Sequence, residues 1–295
     1  MAGQVKPAAA RALGLALAIA AATALAQPAA KKGAVKAEPQ ARLLVAINEG
    51  AAGNADASET LFRYEELTEL IQKTLRAPIV AVAVRDPKKL KTSLRKHEYA
   101  LLLSRPSDLP SEAIRDFGYR PVVMATEPGR TLFIVHKNSS LRTIRDVKGR
   151  TIITPDQHSY IWRVANAMLR DANINMAGEK VRSMRDQAAI GWSMENEFFD
   201  VGVVNAISGV GRSWEKNGHR VIARSGALPN MPMIASPRVS DAQVATLRSA
   251  LVGLADSDSG RAVLKKIGVP TGFQDASAPP FLELLKWIGD LEQNL

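Results

Sequence analysis

Side chains able to grip a small polar molecule gather at four points of the chain. They are Asn48, Glu49 and Asn54; Ser104 and Arg105; Thr154 through Tyr160; and Asn205. Amides, hydroxyls, a guanidinium and a carboxylate can orient a ligand by charge and hydrogen bonds, but they compose no covalent machinery. The enzyme signatures are missing. There is no G-x-x-x-x-G-K-[ST], no G-x-S-x-G, and no His three residues beyond His97-Glu98. Gly209-Val210-Gly211 is a lone G-x-G with Trp214 where a third glycine belongs, and His97, His136, His158 and His219 are dispersed. Zero cysteines exclude a disulfide scaffold, thiolate metal sites, iron–sulfur clusters and a cysteine nucleophile. The expectation is a binding protein with no catalytic residue, no metal and no cofactor.

Alternating strands and helices must hold these points in place. Leu43–Ile47 is a short apolar strand, followed by a loop to Ala55. Asp56 and Glu59 predict a capping box, and Leu61, Tyr64, Leu67, Leu70, Ile71 and Leu75 predict one helix at three-to-four spacing. Strands are predicted at 79–84, 99–103, 121–125, 131–135, 151–154, 180–184, 201–204, 220–223 and 231–235. Helices are predicted at 87–96, 110–117, 158–172 and 187–196, then from Ser240, over 258–267 and from Pro280, with Phe281, Leu284, Leu285, Ile288 and Leu291 inward. Strands this apolar, separated by helices, predict an α/β fold with parallel sheets covered on both faces. Ligands of such sheets bind beyond the carboxyl ends of the strands, which selects 48–56, 104–108, 154–160 and 205–209. Tyr64 falls on an apolar stripe and reads as core; Trp162 and Trp192 read as structural or as cleft walls.

The N-terminus carries an address. Lys6 and Arg11 precede a run of about 14 small and apolar residues, too short for the ~20 that span a bilayer, and Ala24-Leu25-Ala26 is an A-x-A cleavage pattern. Residues 1–26 therefore read as a cleavable signal peptide and the chain as periplasmic. Cleavage removes Lys6 and Arg11, lowering the formal charge from +10 to +8. Residues 27–40, rich in Ala, Lys and Pro, read as a flexible tether. Lys31, Lys32 and Lys36 place much of the excess charge on that tether, and no aromatic-interleaved basic stripe occurs, so no nucleic-acid partner is expected.

Leu141-Arg142-Thr143-Ile144-Arg145-Asp146-Val147-Lys148-Gly149-Arg150-Thr151-Ile152-Ile153 resembles the "s-l-x-d-L-k-G-k-x-i" segment of type II periplasmic solute-binding proteins. Tyr99–Ser104, Thr131–Leu141, Asp200–Asn205 and Ser225–Pro232 extend the likeness to the substrate-binding proteins of phosphate, phosphite and phosphonate ABC transporters, over about residues 42–255. The resemblance implies two α/β lobes joined by two crossover strands with a ligand cleft between them. Lobe 1 would be 41–126 with 227–295, and lobe 2 would be 127–226, hinged near 125–131 and 222–228.

The family places a hydroxyl-rich turn at a helix N-terminus, where N–H groups and the helix dipole hold an anion. The matching turn here keeps Thr154 and Ser159, while Gln157 and His158 replace smaller hydroxyl residues and Tyr160 closes it. Asp156 either caps the helix or, aimed inward, repels an anion. Arg185, in Ser183-Met184-Arg185-Asp186, stands where the family carries a His; it either grips an anion or pairs with Asp186 at the surface. Asn205 sits where aminophosphonate binders carry an acid, and an amide cannot balance an ammonium. The resemblance implies a monomer that captures a small anionic ligand and passes it to an ABC permease. A ligand sensor for a membrane receptor, and an enzyme on the same two-lobed fold, are the rival readings.

Overall fold

The computed structural model describes residues 42–50 and 56–289. The expected signal peptide (1–26) and tether (27–40), residues 51–55 with Asn54, and Leu291 lie outside the described residues. Two sheets organise the chain. The first contains β1 (Leu43–Asn48), β2 (Ile79–Ala83), β3 (Leu101–Ser104), β4 (Arg120–Ala125), β10 (Met233–Ala235) and β11 (Phe273–Asp275), in the order β11-β4-β10-β3-β1-β2. The second contains β5 (Thr131–Val135), β6 (Thr151–Thr154), β7 (Lys180–Ser183), β8 (Val201–Asn205) and β9 (Arg220–Arg224), in the order β7-β6-β8-β5-β9. Residues 126–130 and 225–232 carry the chain from one sheet to the other and back. The two crossings meet as an antiparallel bridge between Gly129 and Leu228.

The sheets are mixed, where the apolar runs had predicted parallel ones. β1 pairs parallel with β2 and β3, and β6 pairs parallel with β7 and β8. The crossing strands enter the other way: β10 runs antiparallel to β3 and β4, and β5 antiparallel to β8 and β9. Each lobe thus keeps a parallel triad whose carboxyl ends open toward the other lobe.

Alternation along each strand fills two layers of core per sheet. Val45, Ile47, Leu101 and Leu103 pack one face of the first sheet, and Ala46, Leu102 and Ile234 the other. In the second sheet Phe133, Val135, Ile152 and Val203 face one way, and Leu132, Ile134, Ile153 and Val204 the other.

Helices cover these faces: α1 (Ala57–Arg63), α2 (Glu65–Leu75), α3 (Pro87–Arg95), α4 (Asp108–Asp116), α5 (Tyr160–Asp171), α6 (Gln187–Glu195), α7 (Gly209–Ser213), α8 (Asp241–Val252), α9 (Asp258–Lys266) and α10 (Pro279–Ile288). The helix expected across 57–75 is broken. Tyr64 leaves helical dihedrals (φ −99°, ψ 7°), where its buried ring is tied to a neighbouring loop. The capping box expected there is half made: Asp56 accepts from the Glu59 N–H at 2.7 Å, while the Glu59 carboxylate turns to Arg63. The box at Ser240 and Gln243 is complete.

One buried ion pair joins the lobes. Arg163, inside α5, reaches Asp108 at the start of α4 at 2.8 Å, and both side chains are removed from solvent. Arg163 also donates to the Gly289 carbonyl at the end of α10, a helix that packs against both α4 and α5. Leu284 and Ile288 of α10 join the core of the second sheet. Removing one member of such a pair strands a buried charge at a cost of about 3–5 kcal/mol. Arg163→Met should therefore lower the unfolding free energy by about that amount, read as a shift of the urea midpoint.

Candidate functional site

All six loops at the carboxyl ends of the two parallel triads meet in one cleft. From the first lobe come the loops after β1, β2 and β3; from the second, those after β6, β7 and β8. Two main cavities occupy the cleft. A narrower one of about 350 Å3 is lined by Glu49, Arg63 and Arg105 from one lobe and Arg185, Gln187 and Asn205 from the other. A wider one of about 590 Å3 lies between Asn48, Asp86 and Asp108 on one side and Asp156, His158 and Tyr160 on the other. A smaller space beside Ser159 and Pro155 touches residues of both. Arg185 lines all three.

The narrow side is built around Glu49. Its side chain is only 10% exposed, a costly position for an unpaired carboxylate. Three donors compensate it: Arg63 at 2.8 Å, Arg105 at 3.3 Å and the Tyr64 hydroxyl. Burial pushes the Tyr64 hydroxyl well above the ordinary phenol range, so it stays protonated and donates. Burial also works against the charge on Arg105, but Tyr64 and Glu49 offset this and hold its pKa above the usual guanidinium value. Arg105 is fixed further by the Ile267 carbonyl at 3.0 Å.

Gly50 lets this loop pack close. Its φ is +63°, and a Cβ there would stand 2.5 Å from Pro106. Asn48 locks the same turn, its Oδ1 accepting from the Gly50 N–H at 2.8 Å.

The second lobe offers a different balance. Arg185 makes no hydrogen bond or ion pair among the described residues. Asp186, its neighbour, is spent as the N-cap of α6, accepting from Ala188 at 2.8 Å. Asn205 accepts from the Ile207 N–H at 3.2 Å, and its own N–H donates to Gln187 at 2.7 Å. In the turn before α5, Ser159 is the N-cap, accepting from Trp162 at 3.2 Å, and Asp156 accepts from the His158 N–H at 2.9 Å. The Tyr160 hydroxyl is buried without a hydrogen-bond partner among the described residues. Burial, then the nearby Asp108 charge, raises its pKa far above the phenol range.

The cleft thus brings together Asn48, Glu49, Arg105, His158, Ser159, Tyr160, Arg185 and Asn205. Ser104, Thr154 and Gln157 line none of these three cavities. The Ser104 and Thr154 hydroxyls turn onto the Pro106 and Pro155 carbonyls, and Gln157 contacts His158 in an exposed position. Trp162 packs on the core of the second sheet, and Trp192 lies exposed against Phe198, so neither walls the cleft. Arg63, Gln187, Arg85 and Asp86 were not expected. Arg85 and Asp86 follow β2 and Gln187 follows β7, so the strand-end rule points to them once those strands are placed. Arg63 sits on a helix face, and its only signal is its distance in space from Glu49. Among the described residues no group of acidic or histidine side chains could hold a metal ion.

Known proteins share this architecture. XAC2383 from Xanthomonas citri, solved bound to ATP, is 14% identical over 86% of this chain and 99% of its own, with a TM-score of 0.69. PhnD1 from Prochlorococcus marinus (MIT 9301), solved with methylphosphonate, is 15% identical over 88% of this chain and 100% of its own, with a TM-score of 0.66. The periplasmic aliphatic sulphonate binding protein SsuA from Escherichia coli is 15% identical over 83% of this chain and 78% of its own, with a TM-score of 0.52. No curated protein sequence matches the chain.

Tyr64→Phe removes one donor from the Glu49 carboxylate. It should cost about 1.5–3 kcal/mol of unfolding free energy, the range for a hydrogen bond to a charged group, measured by chemical denaturation. Residues 50–279 match the family described as the periplasmic phosphonate substrate-binding proteins of ABC transporters, and the chain belongs to that family of solute-binding proteins.

Proposed function

We propose that the cleft captures a small oxyanion, phosphate- or phosphonate-like, and that Arg185 anchors it. The observation that carries this reading is charge. Glu49 is already balanced by Arg63 and Arg105, Asp186 is committed to a helix cap, and Arg185 stands unpaired on the wall of all three spaces. An oxyanion seated there meets the Arg185 fork from one lobe and the Arg63 and Arg105 side chains from the other. Two parallel N–H···O bonds from a guanidinium suit a tetrahedral oxyanion. Asn48, Ser159, Tyr160, His158 and Asn205 surround the same space. PhnD1's bound methylphosphonate supports the ligand class.

In this reading binding draws the lobes together about the crossings at 126–130 and 225–232, and the loaded protein delivers its ligand to the membrane permease of an ABC transporter. The family consists of substrate-binding proteins of transporters, which supports capture rather than catalysis. The chain acts as a monomer in the periplasm, sent there by the signal at residues 1–26, and has no use for nucleic acid. Ser104, Thr154 and Gln157 support the loops rather than touch ligand.

The test is titration calorimetry on protein unfolded and refolded to strip carried ligand, against inorganic phosphate, methylphosphonate and sulfate. Arg185→Ala should weaken the best of these by at least about tenfold, the loss of one charged hydrogen-bonded contact, with an unchanged melting temperature. Equal affinity in the variant, or no heat with any oxyanion, overturns the reading.

A further inference from the structure

We infer that the natural ligand is an oxyanion carrying a hydroxylated organic body, with the anionic head on the narrow side of the cleft and the body in the wide side. This deepens the proposed function and rests on it. The two sides differ in chemistry. The narrow side presents three guanidinium groups against Glu49 and Asp186, an excess of positive charge. The wide side is lined by Asp86, Asp108 and Asp156, together with Arg85 and Arg185.

Each of those three aspartates has one oxygen engaged. In Asp86 it accepts from the Lys88 and Lys89 N–H groups, in Asp156 from the His158 N–H, and in Asp108 from Arg163. The second oxygen of each accepts no hydrogen bond among the described residues. The wide side is therefore rich in acceptors, and a complementary guest must bring donors.

The spread of these acceptors decides which donors. Arg163 takes the charge of Asp108, Arg85 neighbours Asp86, and Arg185 belongs to the anionic head, so the wide side keeps one excess negative charge, distributed over residues of both lobes. Several O–H groups along one body meet more of these separated lone pairs than a single ammonium does. On the narrow side an ammonium would meet Arg63 and Arg105 with Glu49 already taken, and Asn205 offers only an amide that is itself hydrogen-bonded. Space agrees: cavities of about 300–1,000 Å3 hold ligands of drug size, and the wide side alone measures about 590 Å3. A bare phosphate would leave its acceptors to water alone. Polyol and sugar phosphates share the required chemistry.

The experiment compares affinities on refolded protein for inorganic phosphate, methylphosphonate, glycerol 3-phosphate, glucose 6-phosphate and 2-aminoethylphosphonate. One hydroxylated phosphate should bind at least about tenfold more tightly than phosphate or methylphosphonate. Asp86→Asn with Asp156→Asn keeps both backbone caps, since asparagine also accepts there. This double variant should keep its melting temperature, and the ratio of its affinities for the hydroxylated ligand and for phosphate should fall at least about tenfold, the worth of one hydrogen bond to a charged group. Tighter binding of phosphate or methylphosphonate than of either hydroxylated ligand overturns the inference but leaves the oxyanion reading intact. So does tighter binding of 2-aminoethylphosphonate, or a double variant with an unchanged preference. Failure of every oxyanion to bind removes both.

Discussion

The site depends on how Glu49 is neutralised. A carboxylate in that loop, facing a cleft and nearly closed off from solvent, would by itself repel anions and strain the fold. Tyr64, Arg63 and Arg105 absorb its charge from within the first lobe. That arrangement breaks the helix at Tyr64, and it draws in the Ile267 carbonyl as a fourth point of support through Arg105. Because the arginines exceed the acids in this corner, the cleft keeps positive charge on its narrow side, and Arg185 can face it from the other lobe without a competitor.

A second constraint sets where the lobes meet. The Asp108–Arg163 pair is buried between α4 and α5, and α10 closes over it with the Gly289 carbonyl. Ser159 and Tyr160, one turn before Arg163, are thereby held at the mouth of the wide cavity. A buried ion pair is weak evidence of stability but a strict register mark, since neither partner tolerates the loss of the other. The same pair sets the charge balance of the wide side, because it removes Asp108 from the acids available to a cationic guest.

Much of this was legible in the sequence. The apolar runs at Leu43–Ile47, Thr131–Val135 and Thr151–Thr154 located strands because fully buried strands leave continuous hydrophobic stretches. The rule that ligands sit beyond carboxyl strand ends selected loops that do line the cleft, at 48–50, 105–108, 155–160 and 205–209. The parallel sheets expected from those same runs became mixed, because burial on both faces reads alike for either strand direction. β11 and α7 are too short for a period to show. Ser104 and Thr154 had the right chemistry at the right strand ends, yet a hydroxyl on a short side chain bonds whichever carbonyl is nearest, and here that carbonyl belongs to the following proline-containing turn. Arg63 and the Arg163–Asp108 pair were invisible for a different reason: they act across sequence separations that no local pattern encodes.

The most direct measurement is a crystal structure of the refolded protein soaked or grown with methylphosphonate. The account predicts the phosphonate oxygens within hydrogen-bond distance of the Arg185 guanidinium, between the two lobes and on the Glu49 side of the cleft. A phosphonate bound inside the cleft with Arg185 pointing away to solvent, or seated only on the outer surface, would contradict it.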